Sequence, residues 1–153
     1  EGQIINSSII REKLRNNEVE SANKYLGWEY EIEGVVVPGS GRGADITFPT
    51  ANIELVIKDQ LIPGYGSYCI SAHIQGLNVN GMCNIGLRPT FNDTSNMIIE
   101  VNLFHNFEEK FYGKKLNLKF LKYLRPEKKF NTTDELIRQL ERDKENCKEF
   151  LEV

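Results

Sequence analysis

The sequence predicts a mainly β protein: an antiparallel, Greek-key-like β-barrel with a short helical N-terminal segment and a C-terminal α-helix. Two patterns carry this prediction. Between residues 30 and 123, apolar and polar residues alternate in short runs with no helical run between them, which is typical of an antiparallel barrel or sandwich. From residue 132 onward, the apolar residues recur at helical spacing instead.

The N-terminal segment predicts two short helices. Apolar residues recur at helical spacing over residues 6–26, a pair of asparagines interrupts them, and Gly27 follows as a C-terminal stop. This segment is too short and too polar to form a core by itself. We therefore divide the chain into a helical segment, residues 1–27, and a main domain, residues 28–153.

The clearest strand prediction covers residues 67–74, where apolar and polar residues alternate as in a half-buried strand. A turn is predicted at residues 76–78, and residues 79–85 should return antiparallel. Two more alternating runs cover residues 97–103 and 116–120.

A helix is predicted after Thr132, which forms a capping box with Glu135. Apolar residues then repeat at helical spacing as far as Leu151, and Asp143 interrupts the stripe. Such a stripe is typical of a face that packs against the rest of the fold.

Composition limits the possible partners. The chain has 153 residues, enough for one full domain. Its formal net charge of −3 gives no global positive field for nucleic acid or anionic lipid. No apolar run approaches the ~20 residues of a membrane helix, and the polar N-terminus lacks a signal-peptide core. We therefore expect a cytoplasmic protein without a nucleic-acid or membrane partner.

The three cysteines, Cys69, Cys83 and Cys147, show no C-x-x-C spacing, and the chain has only two histidines. A zinc site is therefore not expected. In the expected cytosolic setting all three thiols should be reduced. A catalytic pair of a cysteine with His73 or His105 is the alternative, and nothing in the sequence around either histidine supports it.

A glycine-rich stretch follows the first apolar strand. Gly34, Gly39, Gly41 and Gly43 lie within ten positions, and a loop without Cβ atoms can bring backbone N–H groups close to an anion. Arg42 could add a charge-assisted contact. The stretch is neither a Walker A loop nor a dinucleotide fingerprint. From the glycines alone, a flexible hairpin loop remains the alternative.

The end of this stretch is more specific. In residues 48–52, Pro49 holds the preceding residues extended. Thr50 and Asn52, two positions apart, should then point to the same side of a strand. A hydroxyl and an amide oxygen are hard ligands suited to Mg²⁺ and phosphate. The alternative is a strand start that is capped by polar residues.

Several separate motifs resemble those of riboflavin kinases. Residues 39–52 resemble the family's glycine-rich loop and Pro-Thr-Ala-Asn signature, and residues 84–91 resemble its second signature. Glu100 falls where the family has its catalytic glutamate. Residues 112–116 and 120–125 are similar to its closing strands. The resemblance covers about residues 30–150 in order.

The resemblance implies transfer of the γ-phosphate of ATP, with Mg²⁺, to the ribityl 5′-hydroxyl of riboflavin, giving FMN and ADP. It assigns Glu100 as the catalytic base, Thr50 and Asn52 to the metal, and Arg88, Arg125 and Phe130 to the flavin. The implied nucleotide-binding residues are Gly39, Ser40, Gly41, Arg42, Gly43, Thr50 and Asn52. Without the resemblance, Arg125 would be interpreted as a surface cation and Phe130 as a hydrophobic staple to the C-terminal helix.

The N-terminus carries a second resemblance. Residues 5–11 are similar to the last signature of the FMN adenylyltransferase module in bacterial bifunctional FAD synthetases. Residues 1–27 would then be a stub of that module, which would lie in the same parent chain as this kinase domain. We accordingly expect FMN but not FAD from this chain alone.

Two other functions remain open. A small β-barrel that binds nucleic acid would use the basic residues between 110 and 129, and a salt-sensitive shift with single-stranded RNA would favour it. A flavin or nucleotide sensor without catalysis would bind ligand but form no ADP with riboflavin.

Overall fold

In a computed structural model, described for residues 7–38, 50–88, 96–104 and 111–152, a β-barrel lies between helices at both ends of the chain. This confirms the predicted mainly β fold class. The elements are α1 (Ser7–Arg15), α2 (Val19–Leu26), β1 (Glu31–Pro38), β2 (Ala51–Leu55), β3 (Gly66–Ile74), β4 (Leu77–Arg88), β5 (Asn96–Leu103), β6 (Lys115–Arg125) and α3 (Thr133–Leu151).

The six strands close into a barrel in the order β1-β2-β5-β4-β3-β6, and every neighbouring pair is antiparallel. Strands β3, β4 and β5 form a meander, and β6 returns to lie beside β3. This is the Greek-key arrangement, so the predicted topology is confirmed. Closure also leaves the barrel with no free sheet edge.

Alternate strand positions fill the barrel interior. Tyr68 is fully buried, with its ring edge-on to Phe120 at a centroid distance of 5.3 Å. Because successive strand residues point to opposite faces, the residues between these core positions lie on the outer surface of the barrel. The largest aliphatic core residues include Ile32, Val36, Ile53, Ile70, Ile85, Ile99, Val101 and Leu118.

The hairpin between β3 and β4 turns earlier than predicted. Gln75 and Gly76 are its two central residues, with φ of 48° and 80°, and Ile74 already pairs with Leu77. Two positive φ values fit a two-residue type I′ turn, whose twist matches that of the flanking strands. The predicted turn at 76–78 is therefore wrong, because Leu77 belongs to β4.

The two predicted N-terminal helices are present, and Gly27 ends α2 in a left-handed conformation with its N–H bonded to the Asn23 carbonyl. The buried residues Leu14, Val19 and Ala22 join the barrel core. This helical pair thus buries its apolar face on the barrel, which compensates for its lack of a core of its own.

An asparagine fixes α2 to the barrel. The Asn23 Nδ2 donates to the Phe120 carbonyl at 2.8 Å, and its Oδ1 accepts from the Tyr30 backbone N–H at 2.7 Å. The same side chain therefore bonds to the chain entering β1 and to the neighbouring β6.

Helix α3 begins with the predicted cap, since the Thr132 Oγ1 accepts from the Glu135 N–H at 3.1 Å. The helix covers the outer face of β3 and β4, where Cys69, Met82 and Cys147 form a second buried cluster. The alternation over residues 67–74 predicted one buried face. Near Cys69 both faces are buried, because α3 covers the outer one.

Cys69 and Cys147 are joined by a disulfide across this contact, and Cys83 is the free cysteine, buried. The expectation of three reduced thiols is therefore wrong for this structure. The two bonded residues lie 78 positions apart, so no local spacing could have paired them. Closing a loop of 78 residues stabilises a fold by about 4.5 kcal/mol in the chain-entropy description.

Thiol titration of protein purified without reductant tests this pairing. We expect one reactive thiol per unfolded chain, that of Cys83, and three after reduction, matching the cysteine content. The folded protein should show no rapid reaction, because burial raises the pKa of the Cys83 thiol well above its usual range. Cys147→Ser is the control, since it should release Cys69 as a second thiol. Three thiols in unfolded, unreduced chains would contradict the disulfide.

Candidate active site

A row of polar residues crosses the outer face of the barrel. In the pairing of neighbouring strands, Asn52 lies opposite Glu100, Glu100 opposite Asn84, Asn84 opposite Ser67, and Ser67 opposite Arg125. Their chain neighbours on either side point mainly into the core. Residues from five strands that are far apart in sequence thus form one continuous polar line.

A cavity of about 460 Å³ lies between this row and α3. The segment 126–130, which leads from β6 to α3, forms part of its wall. This volume is in the range of small-molecule sites. The lining includes Thr50, Ser67, Asn84, Glu100, Arg125, Phe130, Leu136, Leu140 and Asp143.

Four of the predicted site residues, Thr50, Glu100, Arg125 and Phe130, line this one cavity. The Thr50 hydroxyl donates to the Glu100 Oε2 at 3.4 Å. The alternation over residues 97–103 implies that Glu100 faces away from the core, and the structure shows this, because Ile99 and Val101 are buried in the core while Glu100 lines the cavity. Residues predicted from separate motifs therefore converge.

Asn52 offers an oxygen that could bind a cation. Its Oδ1 is buried and has no hydrogen-bond partner within the part of the chain that the structure describes, and such an atom is unusual in a folded protein. The Thr50 hydroxyl, two positions earlier in the chain, is a second hard oxygen donor, and oxygens of this kind fit Mg²⁺. The described residues hold no cluster of three or more acidic, histidine or cysteine side chains placed for a metal.

The predicted phosphate loop lies outside the described residues, which exclude Gly39, Ser40, Gly41, Arg42 and Gly43. Its role stays a prediction. The strand before it ends at Pro38, which pairs with Ala51, so Pro38 and Thr50, the described residues that flank this segment, lie close together. The backbone of Arg88 is described in β4, but its side chain is not, and its predicted flavin contact also stays a prediction.

Asp143, which the sequence suggested only as an interruption of the apolar stripe, is a buried part of the site. It is 2% exposed. Its carboxylate accepts from the Arg125 Nε at 2.9 and 3.0 Å and from Nη2 at 2.8 Å. Arg125 is therefore no surface cation. A charged residue at an apolar helix position was the available signal, because charges are rarely buried unless paired.

Glu127 is another residue that sequence reasoning missed. Its Oε1 accepts from the Asn84 Nδ2 at 3.2 Å, while the Asn84 Oδ1 accepts from the Ser67 hydroxyl at 3.0 Å. A Cβ on Gly86 would overlap the Glu127 carboxylate. The missing side chain at position 86 therefore leaves room for segment 126–130 to close one wall of the cavity.

The structure does not support a catalytic cysteine–histidine pair among the described residues. Cys83 belongs to the barrel core, and its pKa is raised by burial and, to a lesser extent, by the charge of Glu100. Its thiol is therefore protonated at neutral pH. His73 is exposed at the β3–β4 hairpin, with its Nδ1 2.9 Å from the Asn78 Oδ1, and His105 lies outside the described residues.

Comparison with known proteins decides the family. A family model described as flavokinase, riboflavin kinase, matches residues 26–151. The chain belongs to the riboflavin kinase family. Members are kinases that use ATP, generally with a divalent metal ion, so the alternative of a nucleic-acid-binding barrel loses its main support.

The riboflavin kinase domain has bifunctional relatives. The chain is 43% identical over 145 residues to the bifunctional riboflavin kinase/FMN adenylyltransferase of Bacillus subtilis, a match covering 94% of this chain and 45% of that protein. The chain thus spans about half the length of the curated relatives that it matches, and it matches their kinase part.

Two solved structures share the fold. One, described as a macrolide-efflux protein from Streptococcus pneumoniae, has a TM-score of 0.88 and 33% identity, over 97% of this chain and 48% of that one. The riboflavin kinase of Trypanosoma brucei has a TM-score of 0.54 and 21% identity, over 80% of this chain and 79% of that one. Among the described residues of this riboflavin kinase domain, no helix combines the length and apolar character needed to span a bilayer.

Two of the cations between residues 110 and 129 are paired with acidic side chains of the helices. Lys122 lies 3.6 Å from the Glu20 carboxylate on α2, and Arg125 is paired with Asp143. These cations neutralise acidic groups of the helices, which further weakens the interpretation of this stretch as a nucleic-acid groove.

Replacing Cys83 tests whether a thiol takes part in turnover. Cys83→Ala should leave the rate of FMN formation within about twofold, because the protonated thiol lies inside the barrel. The cavity left by the sulfur should lower the free energy of unfolding by about 1 kcal/mol. Steady-state rates and denaturant unfolding measure both quantities. A folded variant whose rate falls by more than about tenfold would indicate that the Cys83 thiol takes part in the reaction.

Proposed function

We propose that this chain phosphorylates riboflavin at the ribityl 5′-hydroxyl, using ATP with Mg²⁺ and releasing FMN and ADP. The observation that carries the proposal is that Thr50 and Glu100 meet at one end of a single cavity, where Asn52 lies opposite Glu100 on the neighbouring strand. Arg125 and Phe130 line its other end.

The length of the cavity supports a defined orientation of riboflavin. From Glu100 the polar row passes through Asn84 and Ser67 to Arg125, three interstrand steps of ~4.8 Å, or about 14 Å along the sheet. This is about the length of an extended riboflavin. With the 5′-hydroxyl at Glu100, the isoalloxazine ring would reach Phe130. The lining of the cavity also includes apolar side chains suited to the ring: Met82, Leu87, Ile98, Leu136 and Leu140.

The phosphate donor would lie beside Thr50. Segment 39–49 leaves and rejoins the described chain there, and its glycines allow backbone N–H groups to approach phosphate oxygens. The Thr50 hydroxyl and the Asn52 Oδ1 would hold Mg²⁺ together with the phosphates. The ion supplies positive charge that offsets the charge on the transferred phosphoryl group.

Glu100 would accept the proton of the attacking 5′-hydroxyl. Its carboxylate is half-buried on the outer face of β5 and faces the cavity. The Thr50 hydroxyl donates to this carboxylate. Phosphoryl transfer depends mainly on positioning and charge, so a rigid strand is a suitable platform for this carboxylate.

The proposal extends to the parent protein. As in its relatives, an adenylyltransferase module would share the chain, with residues 1–27 as the connection to the kinase domain at 28–153. We also propose a cytoplasmic location.

The function is tested by incubating the chain with ATP, Mg²⁺ and riboflavin and separating the flavins by chromatography. We expect FMN, with an equal amount of ADP. Riboflavin binding by folded protein without FMN formation would instead indicate a sensor, and neither binding nor turnover would overturn the proposal.

Replacing the proposed base should separate chemistry from folding. Glu100→Gln keeps the size of the side chain but cannot take a proton, so kcat should fall about 10²- to 10⁴-fold, or roughly 3 to 5 kcal/mol of barrier. Riboflavin affinity and Tm should change little. Glu54→Gln, an exposed glutamate on neighbouring β2, is the matched control. A kcat within about threefold of wild type would remove Glu100 from the base role.

The proposed metal ligand makes a separate prediction. Asn52→Ala removes the unpartnered Oδ1, so the Mg²⁺ concentration for half-maximal rate should rise roughly tenfold or more. Asn52→Asp keeps an oxygen at the same place and should be affected less. Rates measured over a Mg²⁺ series at fixed ATP decide this, and an unchanged Mg²⁺ dependence in Asn52→Ala would rule out metal binding by Asn52.

A further inference from the structure

We infer that Asp143 is a positioning residue for the flavin end of the site: it fixes the guanidinium of Arg125 so that Arg125 and Phe130 together shape the place for the ring. This inference rests on the proposed function for the identity of the ligand. It concerns a buried carboxylate on α3 to which neither the sequence motifs nor the comparisons assign a role.

The contact between Asp143 and Arg125 is bidentate. Nε and Nη2 of the arginine both donate to the carboxylate, at 2.8 to 3.0 Å. The Arg125 side chain is only 16% exposed, and the Asp143 side chain only 3%. The Gln139 Nε2, one helical turn earlier, also donates to Asp143 Oδ1 at 2.9 Å. A planar guanidinium that is held on two nitrogens has a fixed plane as well as a fixed position.

The rest of the guanidinium is also engaged on the cavity side. Nη1 of Arg125 donates to the Pro126 carbonyl at 3.1 Å, and the guanidinium carbon lies 5.9 Å from the centre of the Phe130 ring. Arg125, Phe130 and Asp143 all line the cavity. Asp143 therefore determines how this arginine and, through it, the segment with Phe130 face the ligand.

Electrostatics gives a reason for a carboxylate at this place. Glu100 and Glu127 line the same cavity as Arg125. Without Asp143, the arginine would be a poorly solvated cation free to turn toward these other carboxylates. Paired with Asp143, its charge is neutralised and its flat face stays available for stacking, which arginine does readily on aromatic rings. A buried ion pair adds little stability over apolar packing, so stability alone does not account for it.

Helix α3 holds Asp143 at a fixed height above the barrel. Cys147 follows four residues later on the same face of the helix, and its disulfide to Cys69 joins α3 to β3. Asp143 thus sits one turn from a covalent attachment to the strand that pairs with β6, where Arg125 lies. This short connection gives the ion pair a rigid frame.

The test combines turnover with direct riboflavin binding, followed by quenching of flavin fluorescence. Asp143→Asn keeps the shape of the side chain but removes its charge. We expect Kd and KM for riboflavin to rise about tenfold, with KM for ATP within about twofold of wild type. Asp134→Asn, the same substitution at an exposed position in the first turn of α3, is the control and should change neither.

A double-mutant cycle distinguishes positioning from a direct role. Because Asp143 acts through Arg125, adding Asp143→Asn to Arg125→Ala should weaken riboflavin binding no further than Arg125→Ala alone. Additive losses would overturn the inference, as would an unchanged riboflavin Kd in a folded Asp143→Asn variant. Arg125→Lys keeps the charge but cannot bond the carboxylate through two nitrogens, so it should weaken riboflavin binding to a similar extent. This variant replaces Asp143→Asn in the test if Asp143→Asn does not fold. A wild-type riboflavin Kd in folded Arg125→Lys would also overturn the inference. Riboflavin binding is measured without turnover. If the wild-type chain binds riboflavin but forms no FMN, the proposed function fails, while the comparison of riboflavin Kd values still tests the role of Asp143.

Discussion

The antiparallel register of the barrel is the constraint on which the site depends. A strand exposes every second residue on the same face, so a slip of one position in β5 would turn Glu100 into the core and Ile99 or Val101 out of it. The apolar residues on the inner face therefore fix the register, and the register in turn places Asn52, Glu100 and Asn84 side by side. The core thereby also specifies the geometry of the polar outer face.

Helix α3 converts this polar row into a cavity. A row of polar residues on the outside of a barrel would otherwise be a solvated surface. By packing on β3 and β4, α3 supplies the opposite wall with Leu136 and Leu140 and brings Asp143 to Arg125. The disulfide lies in the same contact. The site thus combines a rigid platform of strands, which carries the proposed base, with a helix that shapes the proposed flavin end.

The family comparison and the geometry contribute different things. The comparison identifies the kind of enzyme, because the match covers most of the barrel and α3. The pairing of strands, and not the family match, shows how residues from motifs far apart in the sequence come to lie next to one another. The N-terminal helices add a further point: residues 7–26 bury Leu14, Val19 and Ala22 in the barrel core. These helices therefore share one hydrophobic core with the barrel.

The sequence by itself determined the fold class, the two N-terminal helices, the cap at Thr132 and the outward direction of Glu100, because alternation, helical spacing and capping are local patterns. It also indicated Thr50 and Asn52, since Pro49 restricts the chain beside them. Only the tertiary structure decided the pairing of Cys69 with Cys147 and of Arg125 with Asp143, because each depends on how α3 docks against strands far away in the chain. Docking is a long-range property, and local sequence spacing does not encode which buried partners will meet.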